Sequence, residues 1–253
     1  MKPAGVFVDP SDQSSASAPL AAILYDAGSV PNAESLAGAA QRDGGFAVTH
    51  MPPGAEGWAE VLRDGLTFDV RGLSGGPIAA FDGVELLLGV QRSDIEGSSA
   101  LLLFPGPHLA GAEHLLPVIR VACALLVTLA RIASPRAICW NPAKSAVSPA
   151  MFEQAVLPWL DGGPFPALAL VSLRLDAEGM LVSEGLKFLI GQEFQLADGL
   201  GRGREHLSRV AIRLIDWLVA HGPVSKPVEA VLAGTGAVFL EAECSERIVA
   251  RCH

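Results

Sequence analysis

The chain is poor in the residues that nucleic-acid binders use. Its 253 residues include a single tyrosine, Tyr25, and aromatics of all kinds make up 6%. Platforms on which bases stack therefore have little raw material. Basic excess is also missing: 18 Lys and Arg, scattered along the chain, face 27 Asp and Glu, for a formal charge of −9. A field of that sign repels phosphate backbones, which excludes nucleic acid as an expected partner. The four cysteines, Cys123, Cys139, Cys244 and Cys252, form no CxxC pair and no zinc-ligand spacing. Neither a disulfide framework nor a metal is predicted, and no cofactor is expected. Long hydrophobic runs are lacking too. The most apolar stretch, 121–130, is about half of what a membrane helix needs, and Arg120 and Arg131 bracket it. It reads as a buried helix, so no membrane partner is expected. Lys2 is followed only by a short apolar stretch before Asp9 and Pro10, which is not a secretory pattern, and the cytoplasm is the expected compartment.

What is abundant is apolar side chain. Half the residues are hydrophobic, 18% are charged and mean hydropathy is +0.39, so a packed core is predicted in place of disorder. A short strand is expected at 6–8. Residues 1–19 read as a flexible N-terminal segment, rich in Ser, Ala and Pro from 11 onward, and 20–253 as a single α+β domain. Strand patterns occur at 20–25, 46–49, 66–70, 84–90, 100–104 and 137–140, with a helical turn or two at 58–62. The strands at 84–90 and 100–104 are expected to pair antiparallel. Helices are predicted from Pro31 to about Arg42, over 112–132, from the Ser148-Pro149 start to about Leu160, and over 205–220. In the last of these, Leu207, Val210, Ala211, Leu214 and Leu218 share a face. Further strands are expected at 167–175 and 188–196, and the ranges 237–242 and 247–250 suggest a closing hairpin. The sum is a largely antiparallel sheet covered by helices, while the strand-helix-strand stretch 100–140 permits a parallel pair.

Several short patterns invite chemistry. Gly72-Leu73-Ser74-Gly75-Gly76 matches the G-x-S-x-G nucleophile elbow, but Pro77 and Asp82-Gly83 leave no room for the helix that the elbow requires. His108, Glu113 and His114 fit no zincin spacing. The loop 199–204 precedes a helix and carries Arg202 and Arg204, which can hold a phosphate or carboxylate at backbone amides. Arg204 takes the place of the third glycine of a dinucleotide fingerprint, so that motif is broken. Trp140 ends a strand, where it either floors a pocket or covers the core edge. Glu193 lies in an apolar stretch and, if buried, must have a partner.

From residue 100 to about 224 the chain resembles an uncharacterised bacterial family, domain of unknown function (DUF) 4261. The likeness rests on Trp140 and Pro142 as Trp-x-Pro, on Ser148, Pro149 and Phe152 as a helix start, and on the frame Ser183, Gly185, Leu186 and Glu193. Ser183 stands where the family has Thr, and Ile190 where a second glycine is usual, with Gly191 one place later. The resemblance implies an α+β domain and brings no activity, substrate or cofactor.

No catalytic set can be named, and an enzyme is not the favoured reading. The expected function is a non-enzymatic binding or protein-interaction module, with a homodimer or another protein as partner. The alternative is a small-ligand or anion-binding enzyme whose pocket is built by Trp140, Glu193, Arg202 and Arg204.

Overall fold

The computed structural model describes residues 18–53, 55–197, 201 and 203–252. The strand expected at 6–8, most of the N-terminal segment and Arg202 lie outside them. The chain is an α+β protein, with helices and two mixed sheets.

The first sheet is built on β1 (Ala21–Tyr25), whose five residues are all buried. Around it lie β2 (Ala47–His50), β3 (Trp58–Arg63), β4 (Leu66–Arg71), β5 (Leu86–Leu88), β6 (Ser99–Pro105), β7 (Ala137–Trp140) and β8 (Ser145–Val147), in the order β2-β3-β4-β6-β1-β7-β8-β5. Its helices are α1 (Ala33–Asp43), the short α2 (Arg92–Ile95), α3 (Leu116–Ala130) and α4 (Pro149–Leu160). The side chains of Asn32 and Ser148 cap α1 and α4, the second at the start expected from Ser148-Pro149. One face of the sheet, with Ile23, Leu101, Leu103, Ile138 and Val147, packs in the same buried cluster as Leu36, Leu125, Phe152 and Val156 of these helices. The other face carries small residues, Ala22, Ala100, Ala137, Cys139 and Ala146, against which Phe81, Val84, Leu87, Val90 and Ile95 pack.

The second sheet contains β9 (Ser172–Leu175), β10 (Leu181–Glu184), β11 (Glu193–Ala197), β12 (Val228–Leu232), β13 (Gly236–Cys244) and β14 (Arg247–Cys252), in the order β12-β13-β14-β11-β10-β9. Two short helices, α5 (Ala167–Leu170) and α6 (Leu186–Ile190), and the long α7 (Arg204–His221) accompany it. Period-two alternation sends Phe194, Leu196, Leu240, Ile248 and Ala250 into the core with Leu207, Val210, Leu214 and Leu218 of α7. Each larger side chain buried this way contributes about 2 kcal/mol. Buried residues of both sheets belong to one continuous cluster.

Several sequence expectations need correction. Residues 58–62 form β3 and not a helix. Asp64 and Gly65 both have positive φ and close a two-residue hairpin with β4. Strand β5 does not pair with β6. It lies parallel to β8 at one edge, while β6 is held antiparallel between β1 and β4. The stretch 100–140 does give two strands of the same direction, but β1 is inserted between β6 and β7, antiparallel to both. Of 167–175 only β9 is extended. Its first residues form α5, where the Val171 amide donates to the Ala167 carbonyl. Of 188–196 the first part is α6, ended by Gly191, and only β11 is strand.

Candidate functional site

A cavity of about 990 Å³ forms a cleft where one end of the first sheet meets the outward face of the second. The first sheet contributes Pro19, Leu20, Pro105, Asn141 and Pro142. The second contributes Arg174, Val182, Glu184, Glu193, Gln195 and Arg247, all from β9, β10, β11 and β14, and Phe188 closes one side. Register explains the grouping. Arg174 faces Val182, Val182 faces Gln195, and Glu193 faces Arg247, so these side chains share the face opposite to α7.

Glu193 is held by three donors. Its Oε1 accepts from the amides of Gly185 at 2.8 Å and Lys187 at 2.9 Å, and its Oε2 from the Ser183 hydroxyl at 2.5 Å. The Ser183 oxygen in turn accepts from the Phe194 amide. The carboxylate thus ties the β10–α6 turn to the start of β11, and the partner that burial demands is a whole turn. The frame of Ser183, Gly185 and Glu193 seen in the sequence is this clamp.

The cations of the cleft differ in how tightly they are paired. Lys187 meets Glu246 at 2.7 Å, and Lys144, just outside, meets Glu184 at 2.7 Å and Glu85 at 3.0 Å. Hydrogen bonds to Glu184 and then Glu85 raise the Lys144 pKa, so its charge persists at all ordinary pH. Arg174 stands 3.9 Å from Glu184, and Arg247 3.5 Å from Glu243. Both arginines are half-exposed and loosely held. Asp176 uses one oxygen to accept the amides of Glu178 and Met180, closing the β9–β10 turn.

Two of the residues expected from sequence do not reach the cleft. Trp140 is completely buried, edge-on to Phe188 at 6.3 Å, and is absent from the cavity wall because its side chain points into the core beside Ile23 and Ile138. Its neighbours Asn141 and Pro142 line the cleft instead. Arg204 is the exposed first residue of α7 and is not part of the wall; its carbonyl accepts from the Ser208 hydroxyl. Arg202 lies outside the described residues. The residues that sequence reasoning missed, Arg174 and Arg247, carry no motif; alternation on β9 and β14 was their only signal.

Other patterns resolve into architecture. Ser74 sits in a loop bridged to Asn32, and no helix follows until Arg92, so the elbow geometry is not formed. His108 Nδ1 lies 3.1 Å from the Thr67 hydroxyl. Among the described residues no group of three or more His, Cys, Asp or Glu is placed to hold a metal, and no helix is long and apolar enough to cross a membrane.

No family model, curated protein or solved structure matches the chain.

Proposed function

We propose that this protein is a binding module without catalytic chemistry of its own, and that the cleft between the two sheets takes a small amphipathic ligand bearing an anionic group. One observation carries the reading: the carboxylate best placed for acid-base work, Glu193, is committed to three hydrogen bonds within its own turn. What the cleft offers freely is a non-reacting surface. The apolar body of a ligand fits against Leu20, Val182 and Phe188, and an anionic group can draw Arg174 or Arg247 from their long ion pairs. A cavity of this size, with an apolar wall and a few polar groups, suits a drug-sized molecule. The resemblance to the DUF 4261 family is proposed to extend to this clamp, with Ser183 and Glu193 as its framework.

Anilinonaphthalene sulfonate has the required chemistry and serves as the probe. Saturable fluorescence enhancement that weakens by at least about tenfold in an Arg174→Ala, Arg247→Ala double variant is expected, since even one charged hydrogen bond is worth about 1.5–3 kcal/mol. Undiminished binding in that variant, or none in the parent, defeats the proposal.

A second reading, association with another copy, is supported by Val231. It is 76% exposed on β12, which is an edge strand of the second sheet. Unpaired strand edges accept a further strand. If they do so here, Val231→Lys shifts the protein from dimer to monomer in light scattering; a parent that is monomeric at high concentration excludes it.

A further inference from the structure

A second concavity, about 540 Å³, lies away from the cleft and is walled by Arg42, Gly45, Arg63, Thr128 and Arg131. Three arginines line one small space on a protein of formal charge −9, and no carboxylate is among the described wall residues. They come from the last turn of α1, the end of β3 and the C-terminal end of α3, so only the tertiary fold brings them together.

We propose that this pocket is an oxyanion site that binds a phosphate group. The alternative account is that the arginines merely neutralise helix ends. Two C-termini, of α1 and α3, converge here, each worth roughly half a negative charge. Glu153 pairs with Arg131, and Asp64 stands 3.5 Å from Arg63 Nε. Charge is thereby balanced, but hydrogen bonding is not. A guanidinium has five N–H donors. Arg63 uses Nη1 on the Ala124 carbonyl and the Thr128 hydroxyl, which fixes its plane, while its buried Nε has no hydrogen-bond partner. Arg42 has no ion pair among the described residues. Apart from the carbonyl ends of the two helices, the described wall residues offer mainly donors, and a tetrahedral oxyanion supplies further acceptors with the geometry that guanidinium forks match.

Local packing leaves room for this. A Cβ on Gly45 would stand 3.3 Å from Arg63 Nη1, and one on Gly38 would stand 3.1 Å from Arg42 Nη1.

The test is isothermal titration calorimetry of the full chain with inorganic phosphate and with pyrophosphate at low ionic strength. Saturable binding is expected, about tenfold weaker in Arg42→Ala and in Arg131→Ala, as loss of a charge-assisted hydrogen bond predicts. Thermal melting of the same variants checks that they remain folded. Arg42→Ala is the informative one, because an exposed arginine with no ion pair among the described residues can be removed without undoing the fold. Vesicles carrying phosphatidic acid separate two sources of the phosphate. Cosedimentation that Arg42→Ala abolishes assigns it to a lipid headgroup, whereas calorimetric binding without cosedimentation assigns it to a soluble molecule. Absence of saturable binding overturns the proposal. So does equal affinity in the two arginine variants and the parent, or a loss of binding in Arg174→Ala, which would move the anion to the cleft.

Discussion

At the scale of single residues, the side chain with the most at stake is Glu193. A partly buried carboxylate that receives two amides and a hydroxyl leaves those donors stranded when it is removed. Glu193→Ala is therefore expected to cost about 3 kcal/mol, and Glu193→Gln less, because the amide oxygen still serves Gly185 and Lys187. Urea denaturation midpoints measure both; a near-neutral Glu193→Ala would mean that the carboxylate is free for other work. The buried thiols make a second test. Burial pushes Cys139 from 9.0 up to about 12 and raises Cys123 further, with Arg120 opposing weakly. In the fold these thiols stay protonated, while in the unfolded chain they ionise above their ordinary value of 9.0. The unfolded state then releases protons that the native state keeps, so stability falls as pH rises past that value. Burial of Tyr25 adds to the loss at higher pH. Urea midpoints that hold steady between about pH 8 and about pH 10 would contradict it.

At the scale of elements, the turn after β10 decides how the sheets meet. Gly185 has φ of 100°, and a Cβ there would lie 2.9 Å from the Ala143 backbone. Nearby, the buried Ser172 hydroxyl donates to the Ala143 carbonyl. Gly185→Ala therefore meets both a strained backbone and a clash across the junction, and is expected to destabilise by about 2–4 kcal/mol and to reduce fluorophore binding in the cleft. Gly179→Ala is the control: its φ is 79°, but nothing lies within 4 Å of where its Cβ would stand, so it should cost much less. Equal losses at both sites would show that strain alone matters and that the junction does not. The same turn explains a misreading at element level. Residues 188–196 are apolar enough for strand throughout, yet Gly185 and Gly191, both with positive φ, bracket one helical turn.

For the whole molecule, the question is whether two sheets unfold as one. The buried cluster runs without a break from Ile23 and Phe68 of the first to Phe194 and Leu240 of the second. The Phe165 amide, in the segment after α4, donates to Asp216 of α7 and so links the two halves. A shared core implies shared cooperativity. In a Trp217→Phe variant, which keeps Trp58, Trp140 and Trp159 on the first-sheet side, tryptophan emission should follow the same urea curve as a fluorophore on the exposed Cys244 of β13. Two separated midpoints would mean that the sheets are independently stable.

Local rules were enough to read much of this chain. The openings at Pro31 and Ser148-Pro149 announced helix starts, an apolar run placed α3, apolar spacing placed α7, alternation placed β4, and short apolar ranges placed the hairpin of β13 and β14, because each of these signals lies within a few residues of itself. The sequence also carried the Ser183, Gly185 and Glu193 frame, though not its purpose. Tertiary structure alone decided that β1 separates β6 from β7, that Trp140 turns inward while Asn141 and Pro142 face the cleft, and that Arg174 and Arg247 come to one wall. It alone assembled Arg42, Arg63 and Arg131. The reason is physical: strand order and side-chain convergence depend on which apolar faces can be buried together, and that choice is made by residues far apart along the chain.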